Sequence, residues 1–149
     1  MKQELFHYTS CGLRNVYLRN GFVVKQTPYG KTVAIQDLEG LHRVIGLYLA
    51  KDKPRLSGAE IRFLRKELDM PQTQFADVIG VGETTVRHWE SGRGKISLSA
   101  ERVLRSLYEE YVCGSSSIKD LVDRLSQINR DIHARMEFEE TNNGWRAAA

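Results

Sequence analysis

Glu83, Thr84, Arg87 and His88 fall within one short stretch and offer an acceptor, a hydroxyl, a fork of donors and a ring that both gives and accepts hydrogen bonds. At helical spacing, with Val86 and Trp89 turned inward, these four side chains face outward together. A mixed set of this kind suits reading a polar surface by hydrogen bonds. Residues fitted to anions flank it. Gln72 precedes it, and Arg93 and Lys95 follow in the glycine-rich loop SGRGK. No glycine-rich phosphate loop, nucleophile elbow, HExxH or repeated acidic motif is present, and the four histidines are scattered. A binding protein is expected, not an enzyme, and no cofactor is implied.

The elements that must position these residues are two short helices over Gln72 to Gly92. Phe75, Ile79, Val81, Val86 and Trp89 fall where two helices crossing steeply bury apolar side chains between them. Ala76 allows close approach, and Gly80 permits a left-handed turn without the cost of a Cβ. A longer helix leads in over Ala59–Met70, with Ile61, Leu64 and Leu68 as its buried stripe and Phe63 beside it. Ser57 and Glu60 have the spacing of a capping box at its start. Pro71 ends that helix and opens the next, where no amide hydrogen is needed. A further helix begins at Ser97 or Ser99 and runs to about Val112, its Val103, Leu104, Leu107 and Tyr108 completing the core.

The run LRKELDMPQTQFADVIGVGETTVRHWESG resembles the DNA-binding domain of the Xre family of bacterial and phage regulators, the lambda-repressor-like helix-turn-helix. The matching positions are Leu64, Arg65, Leu68, Gln72, Phe75, Ala76, Ile79, Gly80, Val81, Thr85, Val86, Trp89, Glu90 and Gly92. The resemblance implies that the second motif helix enters the major groove of double-stranded DNA. It places Glu83, Thr84 and His88 at base-reading positions. Arg87, adjacent to them, reads guanine through O6 and N7 or grips a phosphate. Glu83 is suited to accept from a cytosine amino group. Gln72 at a helix N-terminus, and Arg93 with Lys95 beyond the recognition helix, are placed to hold phosphates. The resemblance also implies a structural ion pair between Arg65 and Glu90, where each by itself would read as a solvated charge. Arg62 and Lys66 are weaker phosphate candidates, read as solvent-facing.

The fold class expected is α+β: a small N-terminal antiparallel sheet with one helix, then an all-α helix-turn-helix domain with a C-terminal helix. In residues 1–53, Val16–Leu18 and Phe22–Lys25 flank Asn20 and Gly21, a pair favoured in two-residue hairpin turns. A second turn at Pro28–Gly30 leads to Thr32–Ile35. Asp37 caps a helix whose Leu38, Leu41, Ile45, Tyr48 and Leu49 form a stripe able to close over the sheet. The polar, proline-containing Lys51–Arg55 reads as a linker to the second domain, residues 57–112.

In residues 117–136, Ile118, Leu121, Leu125, Ile128 and Ile132 are spaced by intervals of three and four. That is the seam of a dimerisation helix or of a helix folded back on its own domain, and a homodimer is the reading adopted. Residues 137–149 lack periodicity and read as a flexible tail.

The layout, an N-terminal unit before an Xre-type domain, is similar to that of MqsA-like antitoxins, which implies a toxin as a protein partner. The paired cysteines that hold zinc in that family are absent here. His7, Cys11, His42 and Cys113 have no ligand spacing, and no metal is expected. The chain of 149 residues is 41% hydrophobic and 28% charged, with a net charge of +3. This is the composition of a globular protein, mildly basic and compatible with nucleic acid. No apolar run approaches the roughly 18 residues of a membrane span, no secretory leader is evident, and two distant cysteines suit a reducing compartment. A cytoplasmic, DNA-associated bacterial regulator is the expectation.

Overall fold

The computed structural model describes residues 4–114 and 135–148. Two strands, β1 (Phe6–His7) and β2 (Tyr17–Leu18), pair antiparallel, and β3 (Phe22–Thr27) pairs with β4 (Gly30–Ile35). Five helices follow: α1 (Leu38–Lys51), α2 (Gly58–Glu67), α3 (Gln72–Ile79), α4 (Glu83–Ser91) and α5 (Leu98–Cys113). A last hairpin joins β5 (Phe138–Thr141) to β6 (Gly144–Ala147). The class is α+β, with the helices carrying the core.

The core gathers Ile61, Leu64, Phe75, Val86, Trp89, Ile96, Leu104 and Tyr108 from α2 through α5, and Leu49 and Ala50 from α1. Helix starts follow the chemistry of their caps. The Ser57 hydroxyl accepts from the Glu60 amide while the Glu60 carboxylate accepts from the Ser57 amide at 2.8 Å, so two amides that the helix cannot satisfy are bonded reciprocally. Ser97 caps α5 in the same manner, accepting from the Ala100 amide. The two short helices end on left-handed glycines. Gly80 (φ 85) closes α3 and Gly92 (φ 82) closes α4. Pro71 does not terminate α2. That helix ends at Glu67, and Asp69 takes the left-handed conformation (φ 54) while its amide and that of Met70 return to the carbonyls of Lys66 and Arg65.

The N-terminal unit differs from the sequence reading in its strand pairing and in where α1 packs. Asn20 and Gly21 do not join two paired strands. β2 pairs back with β1, and the Gly21 carbonyl accepts from the Gln36 amide beyond the end of β4, so this turn passes between two separate ladders. The turn at Pro28 and Tyr29 does close a hairpin, with Thr27 opposite Gly30. The stripe of α1 does not close over that hairpin. α1 packs on α5 and α2, leaving Val23, Val24 and Val33 exposed. The physical reason is area: a two-stranded ribbon has too little surface to bury a helix, whereas Leu104, Leu107 and Tyr108 of α5 offer a wide apolar side. Leu38, Tyr48 and Val103, expected in the core, are exposed. Close approach of α1 to α5 depends on Gly46, since a Cβ there would collide with the Tyr108 ring.

Residues 51–55 are not a free linker. The Arg105 guanidinium donates to the carbonyls of Leu49 and Pro54, and Arg55 donates to the Ile96 carbonyl. Glu101, 1% exposed, accepts the Leu56 amide at 2.6 Å and faces Arg55 and Arg105 at 3.5 Å each. The boundary drawn between 53 and 57 therefore runs through one shared core. Tyr8, His42 and Glu67 add a second tie. The Tyr8 hydroxyl lies 2.8 Å from His42 Nε2, and His42 Nδ1 lies 3.0 Å from the Glu67 carboxylate.

Beyond α5, the dimerisation seam of Ile118, Leu121, Leu125, Ile128 and Ile132 lies outside the described residues. In place of the featureless tail, residues 138–147 form the β5–β6 hairpin. Its turn copies that of β3–β4, with Thr141 donating to the Gly144 carbonyl as Thr27 does to Gly30. A hairpin set by one Thr-x-x-Gly turn leaves no long-range periodicity to detect.

Both a buried carboxylate and a buried phenol lend themselves to stability measurements. Glu101→Ala strands Arg105 and the Leu56 amide, and it should cost about 3–5 kcal/mol in urea unfolding, the range for breaking a buried charge pair. Burial, reinforced by the Glu67 carboxylate, pushes the Tyr108 hydroxyl up to about 12 from its ordinary 10.0. The neutral phenol is thus favoured in the folded state, a contribution fully present below pH 10 and lost as pH rises from about 10 to about 12. Alkaline titration of stability should show this fall, and Tyr108→Phe should shrink it.

Candidate nucleic-acid interface

α3 and α4 meet across a sharp turn in which the Val81 amide returns to the Ala76 carbonyl. Ala76 is buried at the crossing, and the Phe75 and Trp89 rings meet edge to face with centroids 6.4 Å apart. With Val86 and Trp89 inside, Glu83, Thr84, Arg87 and His88 are all exposed on the outer side of α4. Glu83 also sits in the first turn of α4, whose N-cap Gly82 supplies no side chain, so its carboxylate favours the positive end of the helix.

One ion pair sets the orientation of α4. Arg65, buried on α2, donates from Nε to Glu90 Oε2 at 2.7 Å and from its terminal amine to Glu90 Oε1 at 2.9 Å. Its remaining amine donates to the Met70 carbonyl at 2.8 Å, in the turn between α2 and α3. The forked geometry uses both carboxylate oxygens, and no ammonium could reproduce it. Gln72 joins the same group, donating to Glu90 Oε1 at 3.2 Å. Its side-chain amine is thus engaged with Glu90, while its position in the first turn of α3, after a Pro71 that caps nothing, leaves helix amides beside it. Close packing completes the joint. A Cβ at Gly58 would come within 2.5 Å of the Trp89 carbonyl, so the start of α2 lies directly on the end of α4.

After Gly92 the Arg93 and Gly94 amides fold back onto the His88 carbonyl at 2.9 and 3.2 Å. Arg93 and Lys95 are held beside the end of α4, both exposed. An open cleft runs between α2, α3 and α4, lined by Arg62, Gln72, Thr84, Arg87, His88 and Arg93 among others. Thr84, Arg87 and His88 thus share a surface with Gln72 and Arg93. Glu83 and Lys95 lie outside the lining of that cleft. Arg62, read from the sequence as solvent-facing, belongs to this surface. A single Arg on an exposed helix face looks like any solvated charge, and only the crossing of α2 over α4 brings it into the cleft.

His7, Cys11, His42 and Cys113 are placed apart in role. His7 Nε2 meets the Arg14 carbonyl, His42 is engaged by Tyr8 and Glu67, Cys11 is partly buried, and Cys113 is exposed near the end of α5. No helix among the described residues is long and apolar enough to cross a membrane.

Removing Glu90 tests the joint. Glu90→Ala leaves the Arg65 guanidinium buried without its carboxylate, and should lower stability by about 3–5 kcal/mol, whereas Arg65→Lys, which keeps the charge and loses the fork, should cost less. Equal denaturation midpoints for Glu90→Ala and the parent would show that the pair does not hold α4.

Compared with known families, residues 61–104 match the family model described as Helix-turn-helix. No curated protein and no solved structure matches the chain. The matched segment spans the buried Arg65–Glu90 joint, the α3–α4 crossing and the outward row on α4. Residues 61–104 are an Xre-type, lambda-repressor-like helix-turn-helix domain, the DNA-binding part of a transcription regulator.

Proposed function

We propose that the protein is a sequence-specific repressor that binds a palindromic operator as a homodimer. Its α4 enters successive major grooves, and Glu83, Thr84, Arg87 and His88 read base edges. Gln72, Arg93 and Lys95 hold phosphates on either side. The observation that carries this reading is the exposure of four hydrogen-bonding side chains in one row on α4, beside cations that have no acidic partner among the described residues. A solvated helix face would not need α4 fixed by a buried ion pair. The dimer seam is assigned to Ile118, Leu121, Leu125, Ile128 and Ile132, because one helix-turn-helix reads few base pairs and two modules on a palindrome supply the missing affinity. In such a dimer the two recognition helices stand roughly 34 Å apart. The protein then acts in the cytoplasm, at the bacterial nucleoid.

A second reading adds to the first. Val23, Val24, Tyr29 and Val33 of the β3–β4 hairpin are exposed, with Tyr29 fully so, and an apolar cleft bordered by Val16, Tyr17, Val44 and Tyr48 opens beside α1. Apolar surface of this kind on the N-terminal unit suits a protein partner. An antitoxin would bind its toxin there and repress their common promoter through α4.

Selection of bound sequences from random DNA with the full chain, followed by sizing of the complex, tests the proposal. An inverted repeat holding two chains is expected. On that repeat, Arg93→Ala or Lys95→Ala should weaken binding to all sequences and flatten the salt dependence by about one unit for each phosphate no longer held. His88→Ala should relax preference at one base position. Equal losses on selected and random DNA for all these variants would overturn the assigned roles.

A further inference from the structure

Arg62 and Lys66 lie one turn apart on α2, and both are exposed. Arg62 lines two clefts that adjoin. The first is the one it shares with Arg87, His88 and Arg93. The second is a smaller recess formed with Lys66, Phe63 and the loop residues Ser10, Cys11 and Gly12. Glu90 borders both clefts, so the surface is continuous from the recognition helix to the N-terminal loop.

Its charge is one-sided. The oxygens of Glu90 are occupied by Arg65 and Gln72. Among the described residues, Arg62, Lys66, Arg87 and Arg93 have no acidic partner, whereas Lys53, Arg55, Arg65 and Arg105, which hold helices together, each have one. Nucleic-acid backbone presents a run of negative charges, about one per 1.7 Å of duplex axis. A row of unpaired cations along a continuous cleft matches such a run better than a single small anion.

We propose that the DNA backbone leaving the recognition helix continues over Arg62 and Lys66 to the loop at Ser10–Gly12, so that the N-terminal unit is part of the DNA-binding surface. This rests on the reading that α4 enters the major groove. It follows that a partner seated on the N-terminal loop competes with DNA for the same ground.

The test uses the full chain and its selected duplex. Salt dependence of binding, on selected and on random DNA, is measured for the parent, Arg62→Ala, Lys66→Ala and the double variant, with Arg93→Ala and His88→Ala alongside. Alkylation of Cys11 is followed with and without DNA, the exposed Cys113 serving as an internal reference. The expected result is a slope reduced by about 0.9 for each cation removed, with affinity falling alike on selected and random DNA, and slower alkylation of Cys11 in the complex. Unchanged slopes for Arg62→Ala and Lys66→Ala, with Arg93→Ala still reducing its own, would overturn the extension and leave α4 in the groove. If Arg93→Ala and His88→Ala also change nothing, the groove reading fails and the extension fails with it.

Discussion

The buried fork of Arg65 on Glu90 is the constraint on which the placement of α4 depends. A guanidinium that loses water must recover its interactions elsewhere, and here the carboxylate of α4 and the Met70 carbonyl supply them. Because Arg65 belongs to α2, Met70 to the α2–α3 turn and Glu90 to the end of α4, one side chain ties three segments. Gln72 adds the start of α3. The exposed row on α4 is thus presented at an angle set by hydrogen bonds with narrow geometry, where apolar packing alone would permit sliding.

A second carboxylate does for the N-terminal unit what Glu90 does for α4. Glu101 gathers the Leu56 amide, Arg55 and Arg105, and Arg105 reaches on to carbonyls at the end of α1. Residues 38–56 therefore share the packing of α5. Tyr8 and His42 bring the preceding loop onto α2 through Glu67. The N-terminal unit is fastened to α2 and α5 by hydrogen bonds and ion pairs and not hung from a linker. Its exposed β3–β4 hairpin is the part left without cover.

These ties explain why the sequence misleads between residues 51 and 57. Polar, proline-bearing stretches usually lie between domains, and Lys51–Arg55 has that composition. The Pro54 carbonyl within it nevertheless accepts from Arg105, about fifty residues further along the chain, as does that of Leu49 just before it, a partnership that no local pattern announces. The α1 stripe was legible as amphipathic, but a stripe does not say which surface it meets.

The sequence by itself determined the helix-turn-helix: Ala76, Gly80, Val86, Trp89 and the Ser57–Glu60 box are local requirements of caps, turns and close crossings, and each is written at a fixed offset. The partnership of Arg65 with Glu90 could be named only through resemblance, since their separation in sequence has no periodic meaning. Tertiary structure decided what depends on elements meeting across distance. It seated α1 on α5 and not on the sheet, and made Glu101 a buried hub. It also brought Arg62 and the Ser10–Gly12 loop to the edge of the cleft lined by Thr84, Arg87 and His88. The physical reason is that local rules act through neighbours a few residues apart, whereas burial and ion pairing are settled by whichever distant surface offers the larger apolar area or the matching charge.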